Sequence, residues 1–331
     1  MCNKCDDLGF TNEVVRRFTI FKDGVKSDDV EWGSVACDCE WGDAWGDRQE
    51  RIDVDLAYRM NDFVEKEEVM GVDPPKVSLI VGVENKPKKV VIYGDSAVGK
   101  SSFAAQFPKP VFIQTEEAGG LIESPRFPLS KSFAETIENI NTVISGDAGK
   151  FDTVVIDSLS GTESLIAKHV CAKLGINGLG DDADYGNSKS YSMANELWHS
   201  FKDKLNSITD AGMNVVLTGH VTQRNIKDPR VDEYEKTVIA LGKWGKYDPC
   251  NLFHCWSDCT LYVAYKVFTK GSDTGIDNTR TTAIGDGTRV VYTEERPAYL
   301  AKNRFDMPPE LPYKKGAGYK VIEQYLNVTK Q

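Results

Sequence analysis

The sequence predicts an α/β domain with a mostly parallel sheet and helices on both faces. Two observations predict it. From residue 88 onward, short apolar β-branched runs alternate with amphipathic stretches, the rhythm of successive βα units. At the first junction of that alternation, Gly94-Asp95-Ser96-Ala97-Val98-Gly99-Lys100-Ser101 fits the pattern G-x-x-x-x-G-K-[ST] without a mismatch. Such a segment binds phosphate for physical reasons. Its glycines let the backbone curl so that successive N–H groups point inward. The helix that follows adds its positive end. Lys100 can reach the β- and γ-phosphates, the Ser101 hydroxyl can ligate Mg²⁺, and Ser102 follows in the same turn.

The elements follow in order. Residues 1–49 are rich in Cys, Asp, Gly and Trp, with little apolar periodicity outside Val14–Phe21, and cannot build much core unaided. Residues 50–70 read as a helix, with Ile52, Leu56, Met60, Phe63 and Val64 mostly on one stripe. Pro74-Pro75 ends it, and Val77–Val83 is a candidate strand. Val90-Val91-Ile92-Tyr93 reads as a buried parallel strand feeding the glycine loop. A helix then continues through Phe107 and stops at Pro108 and Pro110. Val111–Thr115 is a short strand, and Ser132 with Glu135 offers a capping box for a helix to about Ile144. Thr153–Asp157 is a third strand, followed by helices at 160–174 and 191–210 around a Gly/Asp-rich loop at 175–188. Asn214–Gly219 is a fourth strand. Leu261–Phe268, Thr279–Ala283 and Arg289–Thr293 read as strands joined by Gly/Asp turns, expected to be antiparallel. The domain reading is a Cys-rich module at 1–49, a helical linker at 50–85 and the main domain at 86–331.

Composition narrows the partners. The chain has 331 residues, 40% hydrophobic and 27% charged, enough for one large domain with a small appendage. No apolar run approaches the roughly eighteen residues of a membrane span, so no membrane partner is expected. No apolar stretch follows Met1-Cys2-Asn3-Lys4-Cys5, so no secretion signal is read and a cytosolic location is expected. At a net charge of −10 the overall field does not attract polynucleotide, and any DNA contact must be local.

Phosphoryl transfer needs positioning and charge neutralisation. Asp157 ends an apolar strand, which places its carboxylate at the edge of the sheet where the phosphate loop lies, in position to hold Mg²⁺ through water. Thr115-Glu116-Glu117 closes another strand and offers a carboxylate to orient and deprotonate water. His220 directly follows the fourth strand. It either touches the γ-phosphate or is an ordinary hydrogen-bonded residue at a strand end.

With these pieces assembled, the chain resembles the RecA superfamily of P-loop NTPases over residues 86–326. In particular it is similar to phage nucleotide-binding proteins with a RecA core, some of which are single-strand annealing recombinases. The stretches that carry the resemblance are VVIYGDSAVGKSSFAAQFPKPVFIQTEEAGG (90–120), FDTVVIDSLSGTE (151–163), AGMNVVLTGHVTQR (211–224) and PAYLAKNRFDMPPELP (297–312). Strand-exchange recombinases carry Asp-Thr-Glu at the second core strand. Gln114-Thr115-Glu116 aligns with it, which points to Glu116 as the base, with Gln in place of Asp and Glu117 where Gly is usual. Leu217–Thr222 and Lys302-Asn303-Arg304-Phe305 are similar to segments of the bacterial branch-migration ATPase RadA. There the Lys and Arg reach a neighbour's ATP, so the resemblance implies a homo-oligomer, ring or filament, in which Lys302 and Arg304 act in trans. A solvated basic turn is the other reading. The resemblance also puts single-stranded DNA at loops 175–190 and 221–247. The second carries Arg224, Lys227, Arg230, Lys236, Lys243, Trp244, Lys246 and Tyr247 among four acids, and the first is acidic. A solvated surface loop remains open for both.

The eight cysteines read as metal ligands or small core residues in a reducing compartment. Cys2, Cys5, Cys37 and Cys39 supply the four thiolates of a structural Zn²⁺ site. Zinc would provide folding energy that the thin core of this segment lacks. Cys250, His254, Cys255 and Cys259 are a weaker second group. The expected function is a Mg²⁺-dependent, DNA-stimulated ATPase of phage origin, working in a bacterial host cytoplasm on single-stranded DNA in recombination, annealing or replication, with a single-strand-binding protein as a further partner. The alternatives are a ring helicase or helicase loader, and an annealing module that uses ATP only as a structural switch.

Overall fold

The computed structural model describes residues 10–22, 25–36, 84–117, 122–182, 188–273 and 279–326, with side chains described for those from 84 to 267 and from 287 to 326. The chain divides into two units, Met1–Val81 and Gly82–Gln331. In the first, β1 (Phe10–Lys22) and β2 (Val25–Ala36) form an antiparallel hairpin whose register slips between Val14 and Arg16. The sequence reading gave no strands there beyond a short apolar run. Cys2, Cys5, Cys37 and Cys39, the helix expected at 50–70 and the strand expected at 77–83 lie outside the described residues.

The second unit is built on one seven-stranded sheet. Its strands are β3 (Lys89–Gly94), β4 (Pro110–Gln114), β5 (Thr153–Asp157), β6 (Asn214–Gly219), β9 (Cys259–Asp273), β10 (Thr279–Tyr292) and β11 (Glu310–Tyr313). The spatial order is β11-β10-β9-β3-β6-β5-β4. The five strands from β9 to β4 are parallel, and β10 and β11 are antiparallel additions. Alternate side chains of β3 feed two cores. Val91 and Tyr93 face helices α2 (Phe133–Ser145), α3 (Leu159–Leu174), α4 (Lys189–Asp210) and α5 (Pro249–Trp256). Val90 and Ile92 face α1 (Lys100–Ala104) and α6 (Gly318–Leu326). Both layers are therefore covered, as a parallel sheet requires. In the first core Trp198, Phe201 and Phe253 are fully buried and meet edge to face, with centroids 5.3 to 6.1 Å apart. Burial of each such phenylalanine contributes roughly 2–3 kcal/mol.

Local chemistry explains most of the boundaries. Ser132 Oγ accepts from Glu135 N–H at the start of α2, while the Glu135 carboxylate accepts from Lys131 N–H, one residue outside the expected box. Ser158 and Ser188 cap α3 and α4 in the same way. The helix after the phosphate loop ends earlier than expected, at Ala104, and residues 105–107 continue as turns.

Two expectations are corrected and one is extended. The C-terminal strands are antiparallel to one another, as expected, and β9 also runs parallel to β3, from Val90 opposite Cys259 to Gly94 opposite Val263. The crossover that permits this is α5, whose eight residues are too few to show a helical period in sequence. The two strands expected at 279–293 are one, β10, with a register shift between Gly285 and Arg289. Residues 221–247 are not an open loop. They form the hairpin β7 (Val221–Ile226) and β8 (Tyr234–Ile239), followed by a tight turn in which Trp244 and Tyr247 exchange backbone hydrogen bonds. No helix among the described residues is long and apolar enough to cross a membrane.

Candidate active site

The carboxyl ends of the parallel strands gather the phosphate loop with Glu116, Asp157 and His220. Gly94 ends β3, Asp157 ends β5, Gly219 ends β6 with His220 next, and Glu116 follows β4 by two residues. The first loop glycine is required by close approach: a Cβ at Gly94 would lie 2.1 Å from the Val263 carbonyl oxygen of β9. Gly99 is required by conformation, with φ at +101°, where an L side chain is strained. Between them Asp95, Ser96 and Ala97 are exposed and Val98 is fully buried, so the loop is pinned from below and open above.

Lys100 is buried, at 8% exposure, and its ammonium donates to the Gly94 carbonyl at 3.0 Å and the Asp95 carbonyl at 2.8 Å. Burial lowers its pKa below the ordinary 10.5, against the opposing pull of Asp157, Glu116 and Asp95. The ammonium therefore lies within electrostatic reach of all three carboxylates.

Asp157 is 4% exposed. Its Oδ1 accepts from Thr218 Oγ1 at 2.5 Å, and its buried Oδ2 has no hydrogen-bond partner among the described residues. A desolvated carboxylate oxygen without a donor is costly unless a cation or its water shell completes it. Together with the Ser101 hydroxyl this donor set fits Mg²⁺, which prefers carboxylate, water and phosphate oxygens.

Glu116 Oε1 lies 2.9 Å from His220 Nε2, with both side chains about one third exposed. The strand end that carries Glu116 is fastened to the end that carries Asp157. Thr115 N–H donates to the Asp157 carbonyl at 2.9 Å, and Thr115 Oγ1 both donates to the Ser158 carbonyl at 2.7 Å and accepts from Ser158 N–H at 2.9 Å. The carboxylates of Glu116 and Asp157 and the ammonium of Lys100 thus lie at one edge of the sheet.

Lys302 and Arg304 are placed elsewhere. Lys302 pairs with Thr260 near the start of β9, and its ammonium donates to the His254 and Cys255 carbonyls at the end of α5. Burial, with Arg304 nearby, lowers its pKa. Arg304 lies 3.3 Å from Asp258, whose other oxygen accepts from Lys89 N–H at the start of β3. The phosphate loop leaves the opposite end of that strand, about 16 Å away at the usual rise per residue. Within one chain, neither cation approaches the loop.

The cations of 221–247 are largely engaged. Arg224 grips both Asp248 oxygens at 3.0 Å and the Leu241 carbonyl at 2.6 Å. Arg230 pairs with Asp228, Lys236 with Glu295, and Lys227 with Glu233 at 3.8 Å. Trp244 stacks on Tyr191 at 5.4 Å and 11°. In the first expected DNA loop, Asp182 is held by Ser188 and Ser190, which pull its pKa down to about 2. No group of three or more His, Cys, Asp or Glu able to hold a metal occurs among the described residues. Cys250 and Cys259 are buried, and burial raises their thiols to about 11 and about 12; Cys255 is exposed.

Thr115, Thr218 and Arg289 belong to this edge and were given no role from the sequence. Thr218 had a visible signal, since it immediately precedes Gly219-His220. Arg289, whose Nε donates to the Val98 carbonyl at 3.0 Å, had none, because 191 residues separate the two.

Similar proteins exist. The SPbeta prophage-derived uncharacterized protein YorG of Bacillus subtilis (strain 168) is 24% identical over 238 residues, which are 70% of this chain and 64% of that protein. The chain therefore spans just under two thirds of that relative's length. The crystal structure of KaiC-like protein PH0186 from Pyrococcus horikoshii OT3 aligns with a TM-score of 0.33 at 14% identity, covering 69% of this chain and 90% of that one. The AAA domain family AAA_24 matches residues 86–305, a span holding the phosphate loop, Glu116, Asp157 and His220, and the chain belongs to that family.

Proposed function

We propose that the protein is a Mg²⁺-dependent ATPase that assembles with copies of itself on single-stranded DNA, in phage recombination, annealing or replication within a bacterial cytoplasm. The observation that carries the ATPase reading is that the Gly94–Ser101 loop, Glu116, Asp157 and His220 share the carboxyl edge of the parallel strands, with His220 hydrogen-bonded to Glu116. The phosphate loop and Lys100 bind the triphosphate. Ser101 and Asp157 would hold magnesium, which would supply charge neutralisation at the β- and γ-phosphates. Glu116 takes the proton of the attacking water, and His220 orients the Glu116 carboxylate.

One further feature supports the DNA half of the proposal. His220 opens directly into the β7–β8 hairpin, and Ala240 at the far end of that hairpin donates its N–H back to the His220 carbonyl at 2.9 Å. The turn with Lys243, Trp244, Lys246 and Tyr247 is thereby tied by backbone to the hydrolytic edge. The SPbeta relative fits a phage setting. Turnover measured without DNA, with single strands and with duplex tests the proposal. Stimulation by single strands alone is expected, and equal rates in all three would remove DNA from the function.

The alternative in which ATP is a structural switch gains from one observation. Arg224, Arg230 and Lys236 are already paired within the chain, so part of the expected DNA surface is neutralised. Slow phosphate release that stays slow with DNA would favour it. Duplex unwinding in a strand-displacement assay would favour the helicase alternative. The zinc site at Cys2, Cys5, Cys37 and Cys39 remains part of the proposal, and metal analysis of the purified protein tests it.

A further inference from the structure

Arg289 of β10 lies against the phosphate loop on the side away from Asp157. Its Nε donates to the Val98 carbonyl at 3.0 Å, and a Cβ placed on Gly99 would be 3.9 Å from the same atom. The guanidinium is itself fixed. Arg289 Nη2 is 3.1 Å from the Tyr265 hydroxyl, and the guanidinium lies 5.1 Å from the centre of the Tyr265 ring. Tyr265 is the residue opposite Arg289 in the β9–β10 pairing, immediately after the register shift.

The consequence follows from peptide geometry. The Val98 carbonyl and the Gly99 N–H belong to one planar trans unit and point in opposite directions. A donor that holds the carbonyl outward therefore aims the N–H inward, where phosphate oxygens bind. Gly99, at φ +101° and without a Cβ, has little of its own to stop that peptide from rotating. The buried Val98 side chain fixes one end of the unit and Arg289 fixes its carbonyl.

We propose that Arg289, anchored by Tyr265, is a positioning residue of the phosphate loop that holds the Val98–Gly99 peptide in the orientation that binds a nucleoside triphosphate. The inference rests on the nucleotide reading of residues 94–101 and adds to it a residue outside the motif. Directional hydrogen bonding distinguishes this role from simple charge. A lysine keeps the charge but has no Nε–H at the same point and cannot hold two partners in a planar fork.

The test is titration calorimetry of Mg²⁺ with ATP into the full chain and into Arg289→Ala, Arg289→Lys, Tyr265→Phe and Lys100→Ala, with a melting temperature for each. Arg289→Ala is expected to weaken ATP binding about tenfold with an unchanged melting temperature. Arg289→Lys is expected to behave like the alanine variant. Tyr265→Phe is expected to weaken binding severalfold alone and to add nothing in the Arg289→Ala background. Wild-type affinity in Arg289→Ala, full recovery in Arg289→Lys, or additive losses in the double variant would each overturn the assignment. If the wild-type chain binds and Lys100→Ala does not, those outcomes sink Arg289 alone. If the wild-type chain itself fails to bind, the nucleotide reading falls with it.

Discussion

Thr218 Oγ1 donates to Asp157 Oδ1 at 2.5 Å, across the boundary between two neighbouring parallel strands. The second carboxylate oxygen is buried and has no hydrogen-bond partner among the described residues. One hydroxyl thus sets which oxygen of Asp157 is available to a cation. Thr218→Val keeps the shape and removes the donor. The buried carboxylate then loses the one side-chain hydrogen bond it makes among the described residues, at a cost of about 1–3 kcal/mol. The expected result is a lower melting temperature together with a higher Mg²⁺ requirement for turnover, read from a magnesium titration of the initial rate. An unchanged magnesium dependence would mean that Asp157 does not serve the metal.

Glu116 and His220 can be separated by their variants. Glu116→Gln keeps the size and the contact to His220 but removes the proton acceptor. Turnover should fall by about 10²-fold or more while ATP binding stays near wild type. His220→Asn retains a hydrogen-bonding group near Glu116 and should slow turnover less. The comparison is single-turnover phosphate release beside ATP affinity. Equal turnover in Glu116→Gln and wild type would move the base elsewhere, Glu117 being the adjacent carboxylate.

Much of this site was legible because its parts sit next to strands that announce themselves. Val90–Tyr93, Thr153–Asp157 and Asn214–Gly219 are continuous apolar runs, and in a parallel sheet the residue after such a run lies at the functional edge. Asp157 and His220 were singled out that way, Gly94 through Ser101 by their motif, and Glu116 over Glu117 by resemblance. What was missed depends on distance in sequence. Arg289 reaches Val98 only because β10 joins a sheet whose β9 runs parallel to β3, and a local pattern carries no trace of strand direction. The β7–β8 hairpin was hidden for another reason. Its strands, VTQRNI and YEKTVI, are mostly polar in sequence, with only Val238 and Ile239 of β8 buried in the core, so they lack the apolar alternation that marks a core strand. Lys302 and Arg304 were recognised by resemblance, and the structure places them at the far end of β3 from the phosphate loop.

Lys100 gives a pH signature. Burial lowers its pKa from the ordinary 10.5 in the chain without nucleotide, and only the protonated form attracts phosphate. Affinity should be flat while the ammonium stays protonated and should fall as pH rises through the lowered value. A bound triphosphate stabilises the cation, so binding in that alkaline window takes up a proton. Calorimetry in two buffers of different ionisation enthalpy measures the uptake. Binding without proton exchange across the alkaline range would show that Lys100 stays charged without help from the ligand.

The cations at the far end of the sheet give the last prediction. Arg304 is about 59% exposed on its side chain and lies 3.3 Å from Asp258, so within the chain it makes one weak surface pair. Its removal should therefore leave the fold and ATP binding intact. If it serves a neighbour's phosphate loop, Arg304→Ala should slow turnover by 10²-fold or more, roughly the scale of a lost transition-state cation. Mixing supplies the decisive measurement. In a head-to-tail assembly each interface takes its loop from one protomer and its arginine from the next. An equimolar mixture of Lys100→Ala and Arg304→Ala chains therefore restores about one quarter of the interfaces. Turnover in the mixture should rise toward that fraction of wild type, although neither variant is active alone. If Arg304→Ala is fully active, its pairing with Asp258 is its whole role. If it is inactive and mixing rescues nothing, the arginine acts within its own chain, and the in-trans proposal fails.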